Sequence, residues 1–425
     1  MRILVEKTRV NTIFSIFQPV VTEPLELGYL KASLESAGHD VFIVDSMFGQ
    51  RIPSNYVPEL IILNGYNVAE DAMRIKAAEY RKQFPDSLIA ASGVHVQLNK
   101  EIFRAEPFDI VVHSGSIEAF IKLLDALPTW NSKTSLDGSD IWSREDGSWV
   151  LGKEINLKRT EEILPDRSIF KSIRNKTRYL DKKDVALFKS GVGCPYDCSF
   201  CYCKALNGGK YLEPDYGRLF REMKELSPLY CWVVDDVLLK NEEDGRKFIE
   251  ASNKAGFSGN VIGYLRADFI NKNQSILREL KEAGLTEAIV GFEAPFHWQL
   301  KEYNKGIGPG MFREVVESLE AARIDLTALF IVDPGYTRKN FKELRDFIKE
   351  LGIEVFTLSI FTPIKGTADY EKMKDKILDH RSRKSDFLHL ILPSRLPKAG
   401  FYMEFYLTHL RLLRSGRVWK YILKR

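Results

Sequence analysis

The chain has 425 residues, 44% hydrophobic and 28% charged, which is enough apolar material for full-size cores in two or three domains. No apolar run approaches the roughly 18 residues a membrane helix needs. The opening MRILVEKTRV lacks the apolar core of a secretion signal. A cytoplasmic protein without a transmembrane segment is therefore expected. Net charge is +4, from 62 Lys and Arg against 58 Asp and Glu, and this balance argues against a specific nucleic-acid binder. Residues 394–425 are a local exception, with eight Lys or Arg and one acid, Glu404. They are expected to form a solvated amphipathic end, with a phosphate-bearing partner or an anionic lipid as the alternative.

Over residues 1–127 short apolar runs alternate with helical spacing. The expected strands are 2–6, 40–45, 60–63, 87–92 and 109–112, with helices over 25–37, 69–84 and 116–127. Strand–helix alternation implies a parallel, doubly wound Rossmann-like sheet whose ligand crevice lies at the carboxyl ends of the strands. The loops at those ends carry Gly65, Tyr66 and Asn67, then Ser92, Gly93 and His95, then His113, Ser114 and Gly115.

Residues 128–184 break the rhythm. TWNSKTSLDGSD is polar and turn-rich, and IWSREDGSWVL predicts a hairpin turning at Asp146–Gly147, so this stretch is expected to be a linker with a small ribbon. A second alternation occupies 185–366, with strands at 185–190, 231–237, 260–266, 286–293, 325–332 and 354–361. Helical patterns follow the first five, as at 273–283 and 311–322. Six βα units of this length point to a partial (β/α)6 TIM-type barrel. Residues 367–425 are expected to form a basic, aromatic helical C-terminal region.

There are five cysteines, Cys194, Cys198, Cys201, Cys203 and Cys231, and four of them fall within ten residues. A disulfide framework would spread pairs along a small secreted chain, so the clustering argues for a metal site. GVGCPYDCSFCYCKA gives C-x3-C-x2-C just after the first barrel strand. Three thiolates can hold three irons of a [4Fe–4S] cluster and leave the fourth open for chemistry. Cys203 as a fourth thiolate would make a structural zinc site, although a ligand one residue from Cys201 reaches poorly for tetrahedral chelation.

C-x3-C-x2-C with Phe200 before the third Cys resembles the signature of the radical S-adenosylmethionine (SAM) superfamily. The resemblance implies a [4Fe–4S] cluster on Cys194, Cys198 and Cys201. It also implies that the open iron chelates the amino and carboxylate groups of SAM. Electron transfer then cleaves SAM to methionine and a 5′-deoxyadenosyl radical that abstracts hydrogen from unactivated carbon. Phe200 would lie near the adenine and Tyr202 near the cluster loop. WVVDDVLL resembles the family's second-strand segment, making Asp235 and Asp236 candidates for the SAM amino group. YLRADFI offers Arg266 to the SAM carboxylate, and VGFEAP offers Glu293 to the ribose hydroxyls. The bland readings are that Asp235 and Asp236 cap the following segment and that Arg266 pairs with Asp268. LKEYNKG, LFIVDPGYT and FTPIKGT follow in the order familiar from this branch.

EPLELGYLKASLESAGHDVFIVD is similar to the opening of cobalamin-binding domains fused to such barrels. Their Gly–Gly–x–His and Gly–Glu–Gly–Glu turns correspond here to Ser92–Gly93–Val94–His95 and to the Gly115 turn. The resemblance implies a cobalamin site at Gly65, Tyr66, Asn67, Ser92, Gly93, His95 and Gly115, with glycines letting backbone approach a bulky corrin. Against it stands His95 as a buried, hydrogen-bonded turn residue. The implied activity is a class-B-like, cobalamin-dependent radical SAM C-methylation. The alternatives are a cobalamin-free radical SAM cyclisation, rearrangement or coupling enzyme, and a non-catalytic Fe–S or zinc protein. A small-molecule or lipid-like substrate and an electron donor such as flavodoxin or ferredoxin complete the expectation.

Overall fold

The computed structural model describes residues 1–10, 19–66, 68–113, 120, 123–124, 141–145, 148–151 and 163–423. In chain order its strands are β1 (Arg2–Thr8), β2 (Val20–Val21), β3 (Asp40–Asp45), β4 (Leu60–Gly65), β5 (Leu88–Ser92), β6 (Ile110–Val112), β7 (Ile141–Glu145) and β8 (Ser148–Leu151). Then come β9 (Arg178–Tyr179), β10 (Lys182–Lys183), β11 (Val185–Phe188), β12 (Tyr230–Val233), β13 (Asn260–Arg266), β14 (Leu285–Glu293), β15 (Asp325–Val332) and β16 (Phe356–Ile360). The chain forms two compact units: Met1–Ile16 with Pro24–Ile173 and Arg381–Asp386, and Phe17–Glu23 with Arg174–His380 and Phe387–Arg425.

The first unit is built on a seven-stranded sheet of order β3-β1-β4-β5-β6-β7-β8, parallel through β6. Alternate residues serve opposite faces, as a pleated strand requires. Ile3, Val5, Leu60 and Ile62 pack beneath the helix Leu25–Ser36 through Leu27, Leu30 and Leu34. Leu4, Ile61 and Leu63 pack beneath the helix Glu70–Gln83 through Met73, Ala77 and Tyr80. Crossing first to one side and then to the other puts the topological switch point between β1 and β4, where ligand crevices form in such sheets. The ribbon β7–β8 is more than a linker feature, because β7 pairs antiparallel with β6 and extends this sheet. The turn residues 146 and 147 and most of the helix expected at 116–127 lie outside the described residues.

In the second unit β11 to β16 pair parallel in strict chain order, an open six-stranded half-barrel of α/β class. Leu187, Trp232, Ile262, Tyr264, Ile289 and Leu329 share one apolar cluster with Tyr179 of the short β10-β9-β2 sheet. At the amino ends of the strands Glu287 is fully buried, ringed by Lys182 (2.7 Å), Arg417 (2.9 Å) and the Thr327 hydroxyl (2.7 Å). Such a pair is tolerated inside only because every charge has a partner. The C-terminal region is helical at Ala368–Met373, Lys398–His409 and Gly416–Leu423. Among the described residues no helix is long and apolar enough to cross a membrane.

Candidate active site

The opposite, carboxyl ends of the barrel strands surround a cavity of about 420 Å³. Cys194, Cys198, Cys201, Phe200, Tyr202, Asp235, Asp236, Arg266 and Glu293 all line it, together with Tyr196, Cys203, Gly291 and Lys305. The three cysteines sit half-buried on the loop after β11, and no described cysteine is in a disulfide. Among the described residues no three Cys, His, Asp or Glu side chains converge on one ion-sized point. Thiols spread round a cavity suit a cluster in which each thiolate takes its own iron. Burial pushes the Cys194 and Cys198 thiols up, while Lys305 and Arg266 draw Cys198 back. A hydrogen bond from Cys203 holds Cys201 below its ordinary value. The Cys203 sulfur lies 3.1 Å from Asp236 Oδ1, so the thiol sits between two acceptors at the site's edge.

The loop is held from several sides. Asp235 is fully buried and accepts from the Ser190 amide (2.8 Å), the Gly191 amide (2.9 Å) and the Ser190 hydroxyl. Its carboxylate therefore anchors the start of the cysteine loop, while the neighbouring Asp236 is exposed at the cavity. Burial raises the Asp235 pKa despite the three donors. Further along, Ser199 hydrogen-bonds the Tyr303 carbonyl through its amide (3.0 Å) and Asp369 through its hydroxyl (2.7 Å). Asn304 donates to the Asp197 carbonyl (2.8 Å), and Phe200 packs on Tyr303 with centroids 5.0 Å apart.

Two buried cations complete the wall. Arg266 ends β13, pairs with Asp268 (2.8 Å), donates to the Lys305 carbonyl (2.8 Å) and lies over the Tyr196 ring at 3.7 Å. The ion pair weighed above as the bland reading thus exists, and it aims a guanidinium whose Nη1 is 3.9 Å from the Cys198 sulfur. Lys305 pairs with Glu293 at 2.6 Å, both nearly buried. Glu293 closes β14 beyond a register shift and is held at φ +60°, a left-handed conformation costly for a non-glycine residue. Room for the pair exists because residue 291 is glycine: a Cβ there would meet Glu293 Oε1 at 2.3 Å and Lys305 Nζ at 2.9 Å. Lys305 and Tyr196 were not singled out from sequence. Lys305 stood in the LKEYNKG segment, but nothing in the spacing said it would turn back onto Glu293.

At the switch point of the first unit, Thr8 faces Gly65 in register and Lys7 faces Asn64. Lys7 is buried, pairs with Glu26, donates to Asn64 (3.2 Å) and lies 3.5 Å over the half-exposed Tyr66 ring. Burial lowers the Lys7 pKa. Gly93, at φ +99° and ψ 178°, backs onto Gly65, so that a Cβ would come 2.7 Å from the Gly65 oxygen. The Gly65 position is itself closed by Met73. The backbone approach expected toward a corrin is thus made, between these glycines, by the domain to itself. His95 is buried against Phe103, with Nδ1 3.3 Å from the Asn99 amide nitrogen; its Nε2 lies 3.7 Å from Glu70 and has no hydrogen-bond partner among the described residues. Ser92 is buried beside Asn64. Among the described residues the buried Thr8 hydroxyl has no hydrogen-bond partner, an orphan polar atom at the point where a ligand would bind. Asn67 and Gly115 lie outside the described residues.

A half-barrel with three loop thiols and a polar, cation-lined cavity at its carboxyl end is the arrangement expected of a radical SAM enzyme. Residues 188–348 match the Radical SAM superfamily, whose members use a [4Fe–4S] cluster and SAM. The chain is similar to the hopanoid C-3 methylase of Methylococcus capsulatus, 25% identical over 407 residues, spanning 93% of this chain and 78% of the relative. It is also similar to the anaerobic magnesium-protoporphyrin IX monomethyl ester cyclase of Synechocystis, 24% identical over 422 residues, 92% and 81% of the two chains. In fold it resembles the cobalamin-dependent SAM radical enzyme OxsB, solved with aqua-cobalamin and SAM bound. The TM-score is 0.74 at 14% identity, covering 96% of this chain and 66% of OxsB.

Proposed function

We propose that this radical SAM enzyme works with cobalamin to methylate an unactivated carbon of a small or lipid-like substrate. The observation that carries the reading is similarity to a methylase along 93% of the chain, so that the doubly wound unit and the barrel are both included. The orphan Thr8 hydroxyl at the switch point supports a ligand there. Cobalamin, when bound, supplies a transferable methyl group. The cluster, when bound, supplies the electron that cleaves SAM to a 5′-deoxyadenosyl radical, with flavodoxin or ferredoxin as the upstream donor.

In this reading Cys194, Cys198 and Cys201 hold the cluster, a set whose soft thiolates and cavity placement fit it. Arg266 takes the SAM carboxylate, Asp236 the amino group and Glu293 the ribose hydroxyls. Phe200 supports the adenine, and Tyr202 flanks the cluster loop. Lys305 holds the Glu293 carboxylate in place through their ion pair, and Asp235 fixes the loop's entry. The apolar barrel wall of Tyr264, Ile289 and Leu329 excludes water from the radical.

The test is corrin retention. Chain purified after growth with hydroxocobalamin should carry corrin absorbance, and Thr8→Val should weaken its retention. A chain that emerges colourless of corrin overturns the proposal. The second reading, cobalamin-free radical cyclisation or rearrangement, then stands; the Gly65–Gly93 contact and the packed His95 favour it.

A further inference from the structure

The helix Lys398–His409 and the 3-10 turn Leu410–Arg414 after it are apolar on two sides. Phe401, Phe405 and Thr408 are buried against the second unit, where Phe401 meets Phe341 edge-on. Yet Met403, Tyr406, Leu407, Leu410 and Leu413 stand 42–56% exposed. Their spacing is three and four residues, so they form one stripe along the solvent side. Trp419 adds an exposed indole on the next helix, at 45%. A run of large apolar side chains left in water marks a docking surface rather than ordinary scatter.

Charge says what docks. Residues 394–425 hold eight Lys or Arg against the single acid Glu404, although Arg417 is turned inward onto Glu287. Glu404 is unavailable outside, because it is buried and paired with Arg345 at 2.7 Å. Lys398, Arg414 and Lys420 are exposed beside the stripe. Aliphatic and aromatic side chains rimmed by cations match a bilayer interface, where the apolar face enters the headgroup boundary and the cations meet anionic lipid. A nucleic-acid backbone would use the cations and leave the stripe unexplained.

We infer that residues 398–420 seat this enzyme on the surface of an anionic membrane, lying on the bilayer without crossing it. The inference stands on the C-terminal surface alone and not on the proposed reaction.

The test is cosedimentation of the full chain with sucrose-loaded vesicles of phosphatidylglycerol and phosphatidylcholine, against phosphatidylcholine alone. The chain should partition to the anionic vesicles. Leu407→Glu with Leu410→Glu should weaken partitioning by about tenfold or more, since two large apolar side chains no longer enter the interface. Arg414→Gln with Lys420→Gln should weaken it less and blunt its dependence on salt. All four positions are exposed, so melting midpoint and far-UV circular dichroism should match the parent chain. Failure of the parent chain to bind, or binding undiminished in the leucine pair, overturns the inference. So does a dimer in light scattering that the leucine pair dissociates, because the stripe would then cover a second copy.

Discussion

The barrel cavity and the switch point of the doubly wound unit obey the same rule and use it differently. Both gather polar residues at the carboxyl ends of parallel strands. In the barrel those residues are paired around an opening: Glu293 with Lys305, Arg266 with Asp268, and the thiols on a loop tied down by Asp235, Ser199 and Asn304. At the switch point they are paired with one another, Lys7 with Glu26 and Arg9 with Asp45, while Gly65 and Gly93 spend their missing side chains on mutual contact. A motif's place in the fold says where a ligand would bind. What each residue already touches says which of them is available to bind it.

The largest expected effect lies in the barrel. Glu293→Ala strands a buried ammonium and should cost about 3–5 kcal/mol, read from the urea midpoint. The paired change Glu293→Gln with Lys305→Met should recover much of that stability while SAM affinity by calorimetry stays weak. Recovery of both would reduce the pair to a structural role.

Gly93→Ala probes the other region. It puts a Cβ against the Gly65 backbone at a φ and ψ almost confined to glycine, and should cost about 2–4 kcal/mol. An unchanged melting temperature would mean that the two loops do not pack as described. Gly291→Ala should cost about 1–3 kcal/mol by overpacking, and should weaken SAM binding by displacing Glu293.

The smallest effect is a pH dependence in the first unit. Burial raises the Glu6 carboxyl above its ordinary value of 4.5, against the pull of its hydrogen bond from Tyr80. The folded state therefore holds that proton more tightly than the unfolded chain. Stability should fall as pH rises from 4.5 through the raised value, because unfolding releases the proton. Glu6→Gln should flatten that part of the melting-temperature profile, and an unchanged slope would remove Glu6 as its cause.

Much of this was legible in the sequence because strand alternation and cysteine spacing are local signals. The α/β class, the six barrel strands and the thiol loop follow from them. β13 and β15 have the expected bounds, whereas β12 ends at Val233, short of the expected 237, because Asp235 turns inward to serve Ser190 and Gly191. Roles that depend on distant pairing were not legible. Lys305 reaches Glu293 across twelve residues, and Asp235 reaches Ser190 across forty-five. Likewise β7–β8 read as a free ribbon, because a hairpin's own alternation does not reveal that its edge will pair with β6. The exposed stripe from Met403 to Leu413 was visible only as a basic, aromatic tract, since helical spacing alone does not say which apolar face is covered.

The central claim is that three thiols on the barrel loop direct radical cleavage of SAM. The most direct measurement is 5′-deoxyadenosine formed from SAM by the full chain after anaerobic loading with iron and sulfide and reduction with dithionite. The account predicts steady product from the parent chain and none from Cys198→Ala, with Cys203→Ala close to the parent. An intact cluster without cleavage, or equal product from Cys198→Ala, would contradict it.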